Sequence, residues 1–371
     1  MSTSRRIACF LPALEGGGAE RVFLTLVKGF LARGHEVDLV LSRKTGALLS
    51  DIPSGARLFN LDCHKVARSL WPLRSYLRKE RPVALLTGLS NANVVGVWAR
   101  ILAQVPTRTV VSVHSHLTNS TAGSRSHSAR LAAVAARLSY PLADSVVAVS
   151  EGVAADLASS FSVPSEKTTV IHNPVVDDAV DLRAAEALSH PWFAPGQPPV
   201  ILSAGRLVPA KDYPMLLDAF SLLRARREAR LVILGEGPER EDLERRARSL
   251  GVASDVQMPG FVANPYPYMR RSRVFALSSQ WEGFGNVIAE ALAVGTTVVS
   301  TDCRSGPSEI LDDGRFGSLV PVGDPAAMAA AMGRALSTPV DPAELMERGR
   351  SFSVASAVDR YLSVLLPASH A

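Results

Sequence analysis

From Gln280 to Leu292 the chain reads Gln-Trp-Glu-Gly-Phe-Gly-Asn-Val-Ile-Ala-Glu-Ala-Leu, residue types that suit an anion held beside hydroxyl groups. Gly283 and Gly285, flanking Phe284, let backbone come close to a ligand. A helix opening near Asn286 aims free N–H groups and its positive dipole end at the same place. With a phosphate there, Glu282 in the loop and Glu290 in the helix can accept hydrogen bonds from sugar or ribose hydroxyls. Each glutamate also has an ordinary reading, Glu290 as a capping or helix-surface carboxylate and Glu282 as an exposed loop residue.

A second segment, Ser203-Ala204-Gly205-Arg206-Leu207-Val208-Pro209-Ala210-Lys211-Asp212, sets two cations five residues apart between a strand end and a helix. The planar fork of Arg206 and the point charge of Lys211 together suit the two phosphates of a nucleoside diphosphate. Alone, the pair reads equally well as a solvated loop Arg and a helix-starting Lys. The third segment, Glu15-Gly16-Gly17-Gly18-Ala19-Glu20-Arg21, is a glycine-rich turn from strand to helix, but its spacing is not G-x-G-x-x-G and no P-loop Lys follows. His114 ends a strand at the edge where a ligand would lie, and His116 stands close by. No two Asp are separated by one residue, so the D-x-D device for a metal–nucleotide complex is missing and a metal-independent reaction is implied. Cys9, Cys63 and Cys303 form no C-x-x-C pair or Cys/His cluster, which argues against a zinc site or a disulfide framework and for a reducing cytoplasm.

Alternating strand and helix patterns must position these groups. Strands are predicted at Ile7–Leu11, Glu36–Leu41, Val83–Thr87, Arg108–Val113, Ser145–Val149 and Thr168–Ile171, with helices between most of them. A second series runs through Val200–Ala204, Leu231–Leu234, Val256–Met258, Val274–Leu277, Thr297–Ser300 and Ser318–Val320. The fold class is therefore α/β, with two doubly wound Rossmann-like domains facing each other across a cleft. Residues 1–175 form the first, 176–198 a Pro- and Gly-rich linker, 199–350 the second, and 351–371 a C-terminal helix whose return to the first domain the sequence leaves open. Ligands in such sheets bind at the carboxyl ends of the strands.

The 371 residues, 47% hydrophobic and 20% charged, supply two sizeable cores and exclude a disordered or collagen-like chain. Arg5-Arg6 and the apolar run after it do not read as a signal peptide, because the run ends in Glu15-Gly16-Gly17-Gly18 and not in a small-x-small site. Arg137 and Glu290 interrupt the longest apolar stretches, so membrane contact would be peripheral. The net charge of +5 suits phosphate-bearing ligands or an anionic membrane face, with no nucleic-acid partner expected. Lys65, Arg68, Arg74, Arg78, Lys79 and Arg81 interleave with Leu70, Trp71, Leu73 and Leu77. That pattern suits a membrane interface or an ordinary amphipathic helix covering the sheet. The stretch 115–128 is long for an α/β connection and reads as an acceptor loop.

In combination these features resemble the retaining glycosyltransferases of family 4, of GT-B fold. The resemblance rests on the tandem domains, Glu282 and Glu290 at E-x7-E spacing, the Gly-Arg-Leu to Lys-Asp loop and the N-terminal Gly-Gly-Gly-Ala-Glu-Arg. Val149-Ser150-Glu151-Gly152, Ile171-His172-Asn173-Pro174, Gly235-Glu236-Gly237-Pro238 and the run from Thr301 to Ile310 support it. The resemblance implies a nucleotide-sugar co-substrate and no cofactor or metal. Arg206 and Lys211 would hold the diphosphate, Glu290 the ribose and Glu282 the donor sugar, with Phe284, Gly285 and Asn286 lining the site and the base near Glu236 and Val262. Gly17 and Gly18 would approach the phosphate or sugar, and His114 a donor hydroxyl. Glu282, His114, Arg206 and Lys211 are the catalytic candidates. A UDP-sugar would give a hexose or N-acetylhexosamine to a glycan or polyprenyl-linked glycan for cell-surface polysaccharide or lipopolysaccharide, in the cytoplasm or at the inner membrane face. GDP-mannose as donor and a non-catalytic sugar-nucleotide-binding partner subunit are the alternatives.

Overall fold

The computed structural model describes residues 6–116 and 127–367. The chain divides into two units, one comprising Met1–Pro174 with Val354–Ala371 and the other Val175–Ser353.

In the first unit, strands β1 (Arg6–Leu11), β2 (Glu36–Leu41), β3 (Arg57–Asn60), β4 (Ala84–Gly88), β5 (Arg108–Val113), β6 (Ser145–Ala148) and β7 (Thr168–Val170) form one sheet in the order β3-β2-β1-β4-β5-β6-β7. All its pairs are parallel, so connecting helices cover both faces and the central strands are apolar throughout, as in Ile7–Leu11. Those helices are α1 (Gly18–Ala32), α2 (Leu70–Glu80), α3 (Ser90–Ala103), α4 (His127–Ser139) and α5 (Glu151–Phe161). Strand order reverses beside β1, which places the glycine turn and the end of β4 at the switch point. β3 escapes sequence reading because this edge strand has only two apolar residues, Leu58 and Phe59, both half-buried.

On α2, Leu73, Tyr76 and Leu77 are buried in the unit's core, while Trp71 stays 61% exposed. The larger exposed apolar stripe lies on α4, where Leu131, Val134 and Leu138 are exposed on a helix that also carries exposed Arg130 and Arg137. Of the expected acceptor loop, residues 117–126 lie outside the described residues.

The second unit begins with α6 (Val180–Ala185), followed by β8 (Val200–Ala204), α7 (Tyr213–Arg224), β9 (Arg230–Leu234), α8 (Arg240–Ser249), β10 (Val256–Gly260), α9 (Tyr266–Arg271), β11 (Val274–Leu277), α10 (Asn286–Ala293), β12 (Thr297–Thr301), α11 (Pro307–Leu311), β13 (Gly317–Val320), α12 (Pro325–Ser337) and α13 (Pro342–Arg350). Its parallel sheet runs β10-β9-β8-β11-β12-β13, with the switch between β8 and β11. Residues 176–198 are a correction to the sequence reading, since they are built into this unit and are not a free linker. α6 packs on α9, the Arg183 guanidinium lies 4.8 Å from the Tyr266 ring centre, and His190, Phe193 and Tyr268 meet edge to face. The prolines that broke the strand pattern hid these aromatic contacts.

The last helix, α14 (Val354–Leu365), completes the first unit. Its Ala357, Val358, Tyr361 and Leu365 are buried in that core against α1. A Cβ at Gly29 would fall 2.2 Å from Val358 Cγ2, so only glycine permits this approach. Arg33 forks onto Asp359 at 2.9 and 3.1 Å, Arg108 Nε donates to Val364 O at 2.7 Å, and Arg360 donates to Val170 O at 2.6 Å. Among the described residues no helix is long and apolar enough to cross a membrane.

Candidate functional site

In the second unit β8 and β11 are neighbours, so the loops leaving their carboxyl ends meet. They are sewn together. Gln280 N donates to Ala210 O at 2.8 Å, Ser278 Oγ to Lys211 O at 2.7 Å, and Gln280 Nε2 to Asp212 Oδ2 at 3.1 Å. Asp212, at φ +46°, caps α7 by accepting from Met215 N. This fixes the Lys211 backbone and lets its ammonium pair with Glu282 Oε1, which also accepts from Ser279 Oγ at 2.6 Å. Both side chains are largely buried, at 20% and 12% exposure. The two sequence cations therefore differ: Lys211 is already partnered, whereas the Arg206 side chain is exposed and makes no hydrogen bond or ion pair with the described residues.

The N-terminus of α10 stands beside this pair. The Phe284 ring is only 2% exposed and packs edge-on against Phe352, with ring centres 5.5 Å apart, so a ligand can meet Phe284 only at its backbone. Gly285 has φ +94°, and a Cβ at Gly306 would fall 1.7 Å from Phe284 O, which locks the turn that starts the helix. Cys303 was not singled out from the sequence for its chemistry, yet it faces the ion pair. Burial first, then the Glu282 charge, push its thiol up to about 12, with Lys211 opposing, so it is an inert thiol. Glu290 is half-buried on α10, and its charge adds to burial in raising the Tyr266 hydroxyl.

Glu236 leaves β9 beside the end of β10. Arg240 binds it at 2.9 and 2.7 Å and holds the carboxyl below its ordinary value. Gly235, at φ +134°, has no room for a Cβ against Gly205 O at 1.9 Å, so the β8 and β9 loops touch through backbone. Beyond β10, Phe261 is 64% exposed and Val262 half-buried.

In the first unit the glycine turn is already occupied by a carboxylate from its own chain. Glu20 accepts from Gly16 N at 2.7 Å and from Gly17 N at 3.0 Å, and is itself buried. The Gly17 amide is thus engaged, while a Cβ at Gly18 would meet nothing within 4 Å. Sequence reading missed Glu20, although a Glu three residues after a helix cap is a recognisable capping signal.

His114 follows β5, with its ring centre 5.8 Å from that of Phe23, which in turn lies against Gly88. Its Nε2 is 2.9 Å from Ser112 Oγ. Burial lowers the imidazole to about 4 against an upward pull from the Asn173 side chain, so His114 is neutral at physiological pH. His116 is buried separately, with Nδ1 3.4 Å from Asp156 Oδ2. Among the described residues no three His, Cys, Asp or Glu side chains are grouped as a metal ion would need.

Each half of the chain matches a family model, residues 16–179 that of Glycosyltransferase Family 4 and residues 185–352 that of Glycosyl transferases group 1. A relative from Campylobacter jejuni, N-acetylgalactosamine-N,N'-diacetylbacillosaminyl-diphospho-undecaprenol 4-alpha-N-acetylgalactosaminyltransferase, is 30% identical over 86% of this chain and 86% of its own. The lipopolysaccharide core biosynthesis glycosyltransferase LpsE of Rhizobium meliloti is 29% identical over 95% of this chain and 96% of its own. In fold, the chain is similar to the crystal structure of Anabaena HepE in complex with UDP, with TM-score 0.77 and 20% identity over 97% of this chain and 99% of that one.

Proposed function

The chain belongs to the family 4 glycosyltransferases of GT-B fold, and from that premise we propose that it is a retaining, metal-independent enzyme moving a hexose or N-acetylhexosamine from a UDP-sugar to a lipid-linked or lipopolysaccharide glycan. The observation that carries the donor half of this reading is the Lys211–Glu282 pair, sewn to the N-terminus of α10 at the switch point of the second sheet. There one cation, one carboxylate and a helix dipole converge within two loops, as a sugar diphosphate requires.

In this reading the diphosphate lies over Arg206, Lys211 and the first turn of α10. Negative charge grows on it as the glycosidic bond breaks, so these groups stabilise the transition state more than the ground state. Glu282, held by Lys211 and Ser279, accepts from donor-sugar hydroxyls, and Glu290 accepts from the ribose. Glu236 is set by Arg240 at the base end. The leaving phosphate oxygen takes the acceptor proton on the same face, which preserves the anomeric configuration. Neutral His114 presents a hydrogen bond to the sugar and does not act as the base. The names of the Campylobacter and Rhizobium relatives favour a lipid-linked or lipopolysaccharide acceptor. The arginine-flanked stripe Leu131, Val134, Leu138 would rest on the anionic inner face of the membrane that carries such acceptors.

A thermal-shift panel with UDP, GDP, ADP and NAD tests the donor assignment, because a ligand that binds only the folded chain raises its melting temperature. UDP should stabilise the chain and lose that effect in Glu290→Ala. Stabilisation by GDP alone would replace the UDP-sugar with GDP-mannose. Stabilisation by UDP with no transfer from any UDP-sugar would make the chain a non-catalytic partner. Turnover should be unchanged in EDTA.

A further inference from the structure

Tyr361 of α14 is fully buried, and among the described residues its hydroxyl has one hydrogen-bond partner, Ser112 Oγ, at 2.9 Å. Ser112 Oγ is in turn 2.9 Å from His114 Nε2. These three side chains form a line from the returning helix to the ring at the end of β5, and its direction follows from proton counting. A buried phenol that does not donate leaves an unsatisfied O–H, which is costly. Were His114 Nε2–H to donate to Ser112, and Ser112 to Tyr361, the phenol proton would have no acceptor. Running the other way, Tyr361 donates to Ser112, Ser112 donates to Nε2, and every hydroxyl proton on the line is used. Nε2 is then the acceptor nitrogen, and the proton of the neutral ring sits on Nδ1. Nδ1 is buried with no partner inside hydrogen-bond distance, and the neighbouring Asn173 side chain favours a proton on the ring.

We propose that Tyr361 is a positioning residue which, through Ser112, fixes His114 as the Nδ1–H tautomer. Part of the candidate site is thus set by a helix whose sequence carries none of the recognised motifs. Only the kinetic consequence rests on the glycosyltransferase reading; the tautomer does not.

The experiment is a two-bond ¹H–¹⁵N spectrum of the full chain labelled with ¹⁵N-histidine, with the His114 signals assigned by their loss in His114→Gln. The wild-type spectrum should show Nδ1 protonated and Nε2 bare. In Tyr361→Phe the Ser112 hydroxyl is released from its donor, and the His114 pattern should shift toward Nε2–H. Ser112→Ala, which removes the link but keeps every side chain of α14, should shift it the same way and decides the matter if Tyr361→Phe does not fold. An Nε2–H wild type, or an unchanged pattern in the folded variants, overturns the proposal. In transfer assays Tyr361→Phe should lower kcat about fivefold, the worth of one neutral hydrogen bond. A wild-type chain that transfers no sugar would defeat the functional reading while leaving the spectra to decide the tautomer.

Discussion

Lys211 and Glu282, 71 positions apart in sequence, form an ion pair between two loops that their own backbones lace together. A lysine whose charge is half-cancelled is a weaker phosphate ligand than the sequence suggests. Glu282→Gln should therefore bind UDP about tenfold more tightly, since an adjacent negative charge is gone, while turnover of the nucleotide-sugar falls. Isothermal titration with UDP beside a transfer assay separates the two effects; weaker UDP binding would remove Glu282 from the diphosphate's neighbourhood.

Arg206 and Lys211 should respond differently to loss of charge. Exposed Arg206 can be replaced by Ala without stranding a partner, so melting temperature should hold while kcat falls by about a hundredfold, the scale of one lost transition-state contact. Lys211→Ala should cost at least as much activity and also lower stability, because it leaves the largely buried Glu282 without its cation. Near-normal turnover in both variants would refute their role.

Acid should act through His114. The folded chain keeps this imidazole neutral down to about pH 4, whereas an unfolded one takes up its proton near 6.5. Between those values the unfolded state binds more protons, so the stabilising contribution is complete above pH 6.5 and is lost as pH falls toward 4. Melting temperature should decline more steeply over that window in wild type than in His114→Gln. Parallel declines would show that burial does not keep the ring neutral.

Cosedimentation with phosphatidylglycerol vesicles tests the stripe on α4. Leu131→Asp or Leu138→Asp should weaken binding at least about tenfold, because each removes a large apolar side chain from the proposed lipid-facing surface. Vesicles of phosphatidylcholine should bind wild type less well, as Arg130 and Arg137 then lack anionic partners. Equal binding by all three chains would place the membrane face elsewhere.

Packing of α14 on α1 makes Gly29→Val the substitution to watch for stability. Its side chain would collide with Val358, and a loss of about 1–3 kcal/mol is expected for such overpacking. Urea titration should show a lower midpoint. An unchanged midpoint would mean that the helix pair opens without cost.

Much of this was legible beforehand. Ile7–Leu11 and Val274–Leu277 are buried on both faces, and a continuous apolar run carries that burial directly in the sequence. The segments around Lys211 and Glu282 were visible because glycines and charges at strand ends are uncommon without reason. That these two side chains pair with each other was not, because pairing across 71 positions depends on which strands are neighbours. Glu20 was hidden by the glycines it serves, which drew attention to a phosphate and away from the carboxylate that fills the turn. Tyr361 carried no signal, since an apolar helical stretch reveals burial but not what a hydroxyl on it will meet.

The place of α14 also bears on how the polypeptide is made. Ribosomes deliver Met1–Pro174 first, yet the surface of α1 around Gly29 stays bare until all of Val175–Ser353 has been translated and α14 emerges. For that interval the nascent first unit shows an uncovered hydrophobic furrow, which is a site for chaperone capture or aggregation. A truncation ending at Pro174 should inherit the same weakness permanently.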